Sequence, residues 1–381
     1  MRASRRMAAS LSRAAILRDV PLPIPPPQAG EGREGAPQDK AGRAGRSPYR
    51  IALALAYLTA PAVHPASAAE DDFFRGRTVT IAVGYSVGGG YDQYARALAR
   101  HLGSHLPGQP NVLVQNMPGA ASLTAVRYLD ASAPKDGTVI TMFDPGLITE
   151  SFASPDLFKV RFSDYQWVGT MLRDVRICYA WGATGIRTWD DMMRRKEFLI
   201  GTTAKGSNAY VNGAILRKVF NAPVRQIAGY PGSNEQRLAI ERGELEGNCA
   251  SWSALPQDWL AHDKINPLVR FSRTRPADMP QRVPFVEDLA TTSEQKALLA
   301  VLDAAAELGR PFIVAKTVPA ARVNVLRTAF RATLEDAAFR TEAQAQSLPL
   351  DPVAGEEASA IINQIYSASP ELGRKIKEVL E

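Results

Sequence analysis

The chain has 381 residues, with 45 Lys and Arg against 39 Asp and Glu, a formal net charge of +6, and 45% hydrophobic residues. Residues 1–68 hold 10 of the basic and 4 of the acidic side chains, which is the whole excess, so the remaining 313 residues carry 35 of each. That balance removes the electrostatic case for nucleic acid or an anionic membrane as partner, and the length accommodates two domains.

The segment Pro21–Gly32 is rich in Pro and Gly, has no apolar period and reads as disordered. Arg43, Arg46 and Arg50 then precede the apolar run Ile51–Val63, and Ala66-Ser67-Ala68 follows. A charged start, a short apolar core and a small-residue cleavage site make a secretory signal peptide cut near Ala68. The run is too short for a membrane span, which needs about 20 apolar residues. About 40 residues precede this signal, so translation is expected to start near residues 43–50.

Next comes a β-branched run, Val79–Val83, which stops at Gly84. Three glycines follow, Gly88 to Gly90, and then Tyr91, Tyr94, Leu98, Leu102 and Leu106 at helical spacing. Strand, glycine loop and helix start together offer backbone N–H groups to an anion at the positive end of a helix, or form a plain tight turn. A dinucleotide fingerprint is excluded, because Gln93 stands where the third glycine belongs. Asp92, in the first helical turn, is expected to steady the helix start and not to touch an anionic ligand.

Further strands are expected at Val112–Gln115, Thr138–Phe143, Arg176–Trp181, Phe198–Gly201, Arg225–Gly229 and Leu245–Ala250. Helical patterns cover 91–106, 119–132, 188–196, 208–220 and 233–242, and after residue 265 helices dominate at 293–308, 319–346, 355–367 and 370–380. This alternation predicts an α/β protein with parallel sheets covered by helices. Trp167–Trp181 and Ser251–Pro256 read as crossings between lobes, giving lobe 1 as 73–172 and 256–381 and lobe 2 as 173–255. Ligand sites in such sheets lie outside the carboxyl ends of strands.

Four more loops fall at those ends. Asp144-Pro145-Gly146 follows the third strand. Gly201–Tyr210 supplies Thr202, Thr203 and Ser207 before a helix, where Ser207 serves as an N-cap, a ligand contact or both. Lys205-Gly206-Ser207 is not a P-loop, since Walker A requires Gly before Lys. Gly229–Asn234 places Tyr230 in a turn or along the cleft, and Cys249–Ser253 closes over a ligand or packs the hinge.

No base, nucleophile elbow or histidine cluster accompanies these loops, so no catalysis, metal site or cofactor is expected. His101 and His105, four apart on one helix, read as a solvated pair. Cys178 and Cys249, in an exported chain, are either a disulfide or two buried thiols.

From Phe73 onward the chain resembles the substrate-binding receptors of tripartite tricarboxylate transporters, the Bug-type periplasmic proteins. The resemblance is carried by Val83–Asp92 with Ala95-Arg96, Gln115–Ala120, Ala133–Thr138, Lys205–Ser207 and Ile240–Gly247, in that order. It implies a two-lobed periplasmic binding protein of the type II, Venus-flytrap form with a hinged cleft. It also implies a monomeric receptor that hands a small carboxylate to membrane permease subunits. Carried over to this chain, Ser86, Gly88, Gly89 and Gly90 of the first loop face Thr203, Gly206 and Ser207 of the second; Tyr85, Asp144 and Tyr230, from the loops at the strand ends, complete the expected ligand contacts. Two positions depart from the family pattern: Val87 stands where proline is common, and Tyr210 where many relatives have histidine. The competing readings are a periplasmic enzyme acting on an anionic substrate and a ligand sensor for a membrane kinase.

Overall fold

A computed structural model describes residues 72–381; the expected leader and cleavage site lie outside the described residues. Strands β1 (Thr78–Val83), β2 (Asn111–Asn116) and β3 (Val139–Met142) pair in parallel, with β1 in the middle. Helices α1 (Gly90–His105) and α2 (Leu123–Ala131) connect them. Val79, Ile81, Ala82 and Val83 are fully buried, as a β-branched strand between two neighbours requires. Tyr94, Leu98 and Leu102 form the buried stripe of α1, at the spacing that set the expectation.

Helices α3 (Gly146–Ala153) and α4 (Pro155–Phe158) lead to β4 (Gln166–Arg173), which ends the first pass through this sheet. Only Asp174 and Val175 separate β4 from β5 (Arg176–Trp181), the first strand of a second sheet. The expected crossing at Trp167–Trp181 is therefore two strands with a two-residue link. Then follow α5 (Trp189–Met193), β6 (Phe198–Gly201), α6 (Asn208–Val219), β7 (Val224–Ile227), α7 (Ser233–Glu241), β8 (Gly247–Ser251), α8 (Gln257–Ala261), β9 (Ile265–Arg270) and α9 (Ser293–Ala306). Strand β10 (Leu308–Val314) returns to the first sheet, and α10 (Ala320–Glu335), α11 (Ala337–Ala345), β11 (Val353–Ala354), α12 (Gly355–Tyr366) and α13 (Pro370–Leu380) complete the chain. Strand order is β11-β4-β10-β3-β1-β2 in the first sheet and β7-β6-β8-β5-β9 in the second.

The sheets are mixed, not parallel throughout. Strand β10 runs antiparallel to both β3 and β4, and β5 runs antiparallel to both β8 and β9. No helix separates β4 from β5, so that connection cannot be a parallel crossover. Ser251–Pro256 is not a crossing, because β9 pairs with β5 in the second sheet. Residues 265–270 thus belong with that sheet and not with lobe 1. Ile376 and Leu380 of α13 also join the apolar core of the second sheet.

The late strands escaped the sequence reading because β9 contains Pro267 and β10 contains Pro311. Pro267 sits where the register with β5 shifts. The helix expected over 319–346 is two helices, broken at Asp336, whose carboxylate accepts the Ala338 and Phe339 amides at 2.7 and 3.2 Å. Cys178 and Cys249 lie opposite each other on β5 and β8 and form a disulfide. His101 and His105 are not merely solvated: they reach Glu342 and Asp336 at 2.7 and 3.0 Å, tying α1 to α11. No helix among the described residues is long and apolar enough to cross a membrane.

Candidate functional site

The ends of β1 and β3 meet the ends of β6 and β8 around a cavity of about 70 Å³. Tyr85, Gly89, Gly90, Asp144, Thr203 and Ser207 line it, together with Tyr91, Arg176, Gln236, Ser251 and Arg310. A larger open groove of about 630 Å³ lies between α8 and α11, but Arg173 there is already paired with Glu307 and Glu357. The small cavity is lined by buried charge that is only partly hydrogen-bonded, which makes it the candidate site.

The first loop is shaped by its own side chains. Gly88 has φ +80° and donates its amide to Asp92 Oδ2 at 2.8 Å. Asn116 steadies the same turn by donating to the Tyr85 carbonyl at 3.0 Å and to Asp92 Oδ1 at 2.8 Å. The Gly88 amide is therefore spent inside the loop and does not reach a ligand. Gly89 caps α1 without a side chain. Gly90 is required by close approach, since a Cβ there would stand 2.9 Å from Ala254 Cβ and 3.2 Å from Arg310 Nη2.

Three more of the expected site residues turn out to do other work. Ser86 donates to Glu235 Oε2 at 3.0 Å and so clasps the rim to α7. Asn234 donates to the Val87 carbonyl at 3.0 Å beside it. Gly206 has φ +88°, and a Cβ there would meet Leu147 Cδ2 at 2.6 Å, so it makes room for α3 and does not line the cavity. Tyr230 packs with the Ile240 and Leu245 cluster under α7 and likewise does not line the cavity.

Asp144 has the most consequential position. It is 4% exposed and accepts the Tyr85 hydroxyl at 2.6 Å, the Gly146 amide at 2.8 Å and the Asn208 amide at 3.0 Å. Asn208 opens α6, so a carboxylate of the first sheet already occupies the helix start of the second. Burial pushes the Asp144 carboxyl up, and Arg176 and the three donors offset this only in part. Ser207 caps the same helix, accepting the Tyr210 amide at 3.2 Å.

Two arginines went unmarked in the sequence reading. Arg176 opens β5 and pairs with Asp174 at 2.9 Å; Arg310 lies 3.7 Å from the same carboxylate. The three residues are 4%, 2% and 1% exposed in the order Arg176, Asp174, Arg310. Burial opposes the charge of Arg176, yet Asp174, Tyr91 and Asp144 outweigh it and hold the guanidinium firmly protonated. Arg310 stacks over Tyr91 at 4.5 Å and donates to Ser251 and Ser253 at 3.2 and 3.3 Å. Its φ of +56° falls at the one position of β10 skipped between the pairs Gly309–Leu172 and Pro311–Thr170. A left-handed arginine costs about 1–3 kcal/mol and persists where the surroundings over-determine it. Arg176 Nε, Arg310 Nε and Arg310 Nη1 are buried with no hydrogen-bond partner among the described residues. The available signal was a lone arginine in an otherwise apolar strand.

Burial and the Asp144 charge push both the Tyr85 and Tyr91 phenols up, so both stay neutral donors at ordinary pH. No group of three or more His, Cys, Asp or Glu among the described residues is placed to hold a metal ion.

Behind the second loop, Glu150 of α3 is 2% exposed and faces the Gly206 amide and Lys205. Burial pushes its carboxyl up to about 7 from an ordinary 4.5. The folded protein therefore keeps a proton that the unfolded chain releases. The stability this confers is complete below pH 4.5 and is lost as pH rises through about 7. Glu150→Gln is expected to lose about 2 kcal/mol less stability than the parent between pH 5 and pH 8, read by urea denaturation.

No protein-family model matches the sequence, and no curated protein matches it. Solved structures do match in shape. The periplasmic binding protein BugD superposes with a TM-score of 0.65 at 17% identity, over 80% of this chain and 98% of its own. MatC of Rhodopseudomonas palustris, solved with malate, gives 0.62 at 17% identity, over 81% and 100%. A protein of the same organism solved with adipate gives 0.63 at 16% identity, over 80% and 97%. At identities this low the likeness shows the fold alone: the chain has the two-lobed architecture of these periplasmic binding proteins.

Proposed function

We propose that the protein is a periplasmic solute-binding receptor of the tripartite tricarboxylate type, which captures a small organic acid and delivers it to a membrane permease. The observation that carries this reading is the pair of buried arginines. Both side chains line a cavity between the two sheets, beside the start of α1, and carry buried nitrogens with no hydrogen-bond partner among the described residues. An acceptor-only group such as a carboxylate satisfies such donors, whereas a cation or an apolar ligand leaves them unpaired.

The ligands of MatC and of the adipate-bound protein belong to that class. Recognition here departs from the main-chain cradle expected from the two glycine loops. The second helix start is filled by Asp144, so the ligand is gripped by Arg176, Arg310 and the start of α1. Rim contacts between Ser86 and Glu235, and between Val87 and Asn234, join the lobes over the cavity. Ligand-driven closure of this rim is the signal a permease would read.

Calorimetry with a panel of mono-, di- and tricarboxylates tests the reading. One acid is expected to bind with 1:1 stoichiometry and to be recovered unchanged. Binding only of a cation or neutral sugar overturns the carboxylate assignment, and chemical conversion of the ligand favours an enzyme instead.

A further inference from the structure

Four buried charged side chains lie around the cavity. Arg176 and Arg310 supply two positive charges, and Asp174, placed between them, cancels one. Asp144 cancels the other, so with Asp144 ionised these four buried groups are neutral together before any ligand enters. Each acidic group on a ligand then adds a negative charge that nothing already there balances. In a buried space such a charge is either neutralised or excluded.

Asp144 is the group able to neutralise one. Tyr85 at the end of β1, Tyr91 on α1, Arg176 on β5, the Gly146 amide of α3 and the Asn208 amide of α6 face it. Its Oδ1 accepts both amides, while Oδ2 accepts only the Tyr85 hydroxyl. Oδ2 is therefore the oxygen free to take a proton from solvent. The two phenols facing Asp144 stay neutral, because burial raises both of them.

We infer that the cleft captures a ligand bearing one carboxylate together with one proton, which Asp144 holds on Oδ2. This rests on the receptor reading above and narrows its ligand class to monoanions. A second ligand carboxylate would meet Asp174 and Asp144 with no counter-charge left. The sign of the pH effect follows: the bound state holds more protons than the free state, so affinity falls as pH rises above the point where free Asp144 ionises. Burial already pushes that point upward.

Size-matched acids separate charge from volume. Oxamate against oxalate, succinamate against succinate, and adipamate against adipate each replace one carboxylate by an amide of the same size. In calorimetry at pH 8 the amide acid of the best-binding pair is expected to bind at least about tenfold more tightly than its dicarboxylate. Its affinity is expected to fall as pH rises, by at most about tenfold per pH unit. D144N is expected to abolish this pH dependence, with a thermal melt confirming the fold. E150Q is expected to preserve it, which separates Asp144 from the other buried carboxyl near the second loop. A dicarboxylate that binds as tightly as its amide acid overturns the inference, as does a pH profile that survives in D144N. Silence from all six acids overturns the receptor reading as well.

Discussion

Arg310→Met is expected to abolish carboxylate capture, with affinity falling about 100-fold or more. Removing one partner of a buried charged hydrogen-bond set costs about 2–5 kcal/mol, and each 1.4 kcal/mol is about tenfold in affinity. Methionine fills a similar volume and lies acceptably against Tyr91 and Tyr94, the rings that carry the guanidinium. Folding should suffer less than binding, by about 1–3 kcal/mol, because Asp174 keeps Arg176 at 2.9 Å. Arg310→Lys retains the charge but loses the planar fork and should fall between the two. Calorimetry together with urea denaturation separates these effects. A folded Arg310→Met protein that binds its acid as tightly as the parent would show that the anionic group is held elsewhere.

The contrast between Arg310 and the glycine loops shows what local sequence conveys. Val79–Val83, Gly88–Gly90 and the α1 stripe are signals whose physics is complete within some 25 residues, and β1 and α1 form as they indicate. The positions of the loops at strand ends were legible for the same reason. Their chemistry was not, because each loop is finished by a distant partner. Asp144 reaches Asn208, Ser86 reaches Glu235, and Gly206 makes way for Leu147.

Arg310 is the extreme case. In Leu308–Val314 it looks like an interruption of an apolar run, and every residue of that strand is buried. Its role arises from a left-handed backbone position and from Asp174, which lies in the link between sheets. Neither is a property of spacing. The mixed strand directions share this cause, since β10 joins β3 and β4 across more than 130 positions of chain.

Gly146→Ala is expected to separate folding from ligand capture. Gly146 opens α3, where alanine is the better helix former by roughly 1 kcal/mol, and it is not in the left-handed region. Across the cleft, however, the new Cβ would stand 2.7 Å from the Ser207 carbonyl carbon, 2.7 Å from the Asn208 amide nitrogen and 2.8 Å from the Gly206 oxygen. These are backbone atoms at the start of α6, held by the Ser207 cap, and they cannot rotate away as a side chain would. The lobes must part at this point, which lengthens the 3.0 Å contact between Asp144 and Asn208 and opens the cavity to water. A ligand that binds the closed form then works against a conformation held open, and apparent affinity falls by the fraction of molecules still able to close. The expected outcome is about 100-fold weaker binding with a smaller loss of folding stability, of about 1–3 kcal/mol, and no ligand-induced compaction in small-angle scattering. Parent-like affinity and compaction would mean that the contact between Gly146 and α6 does not control closure. The ligand's grip on Arg176 and Arg310 would then be independent of how tightly the two helix starts meet.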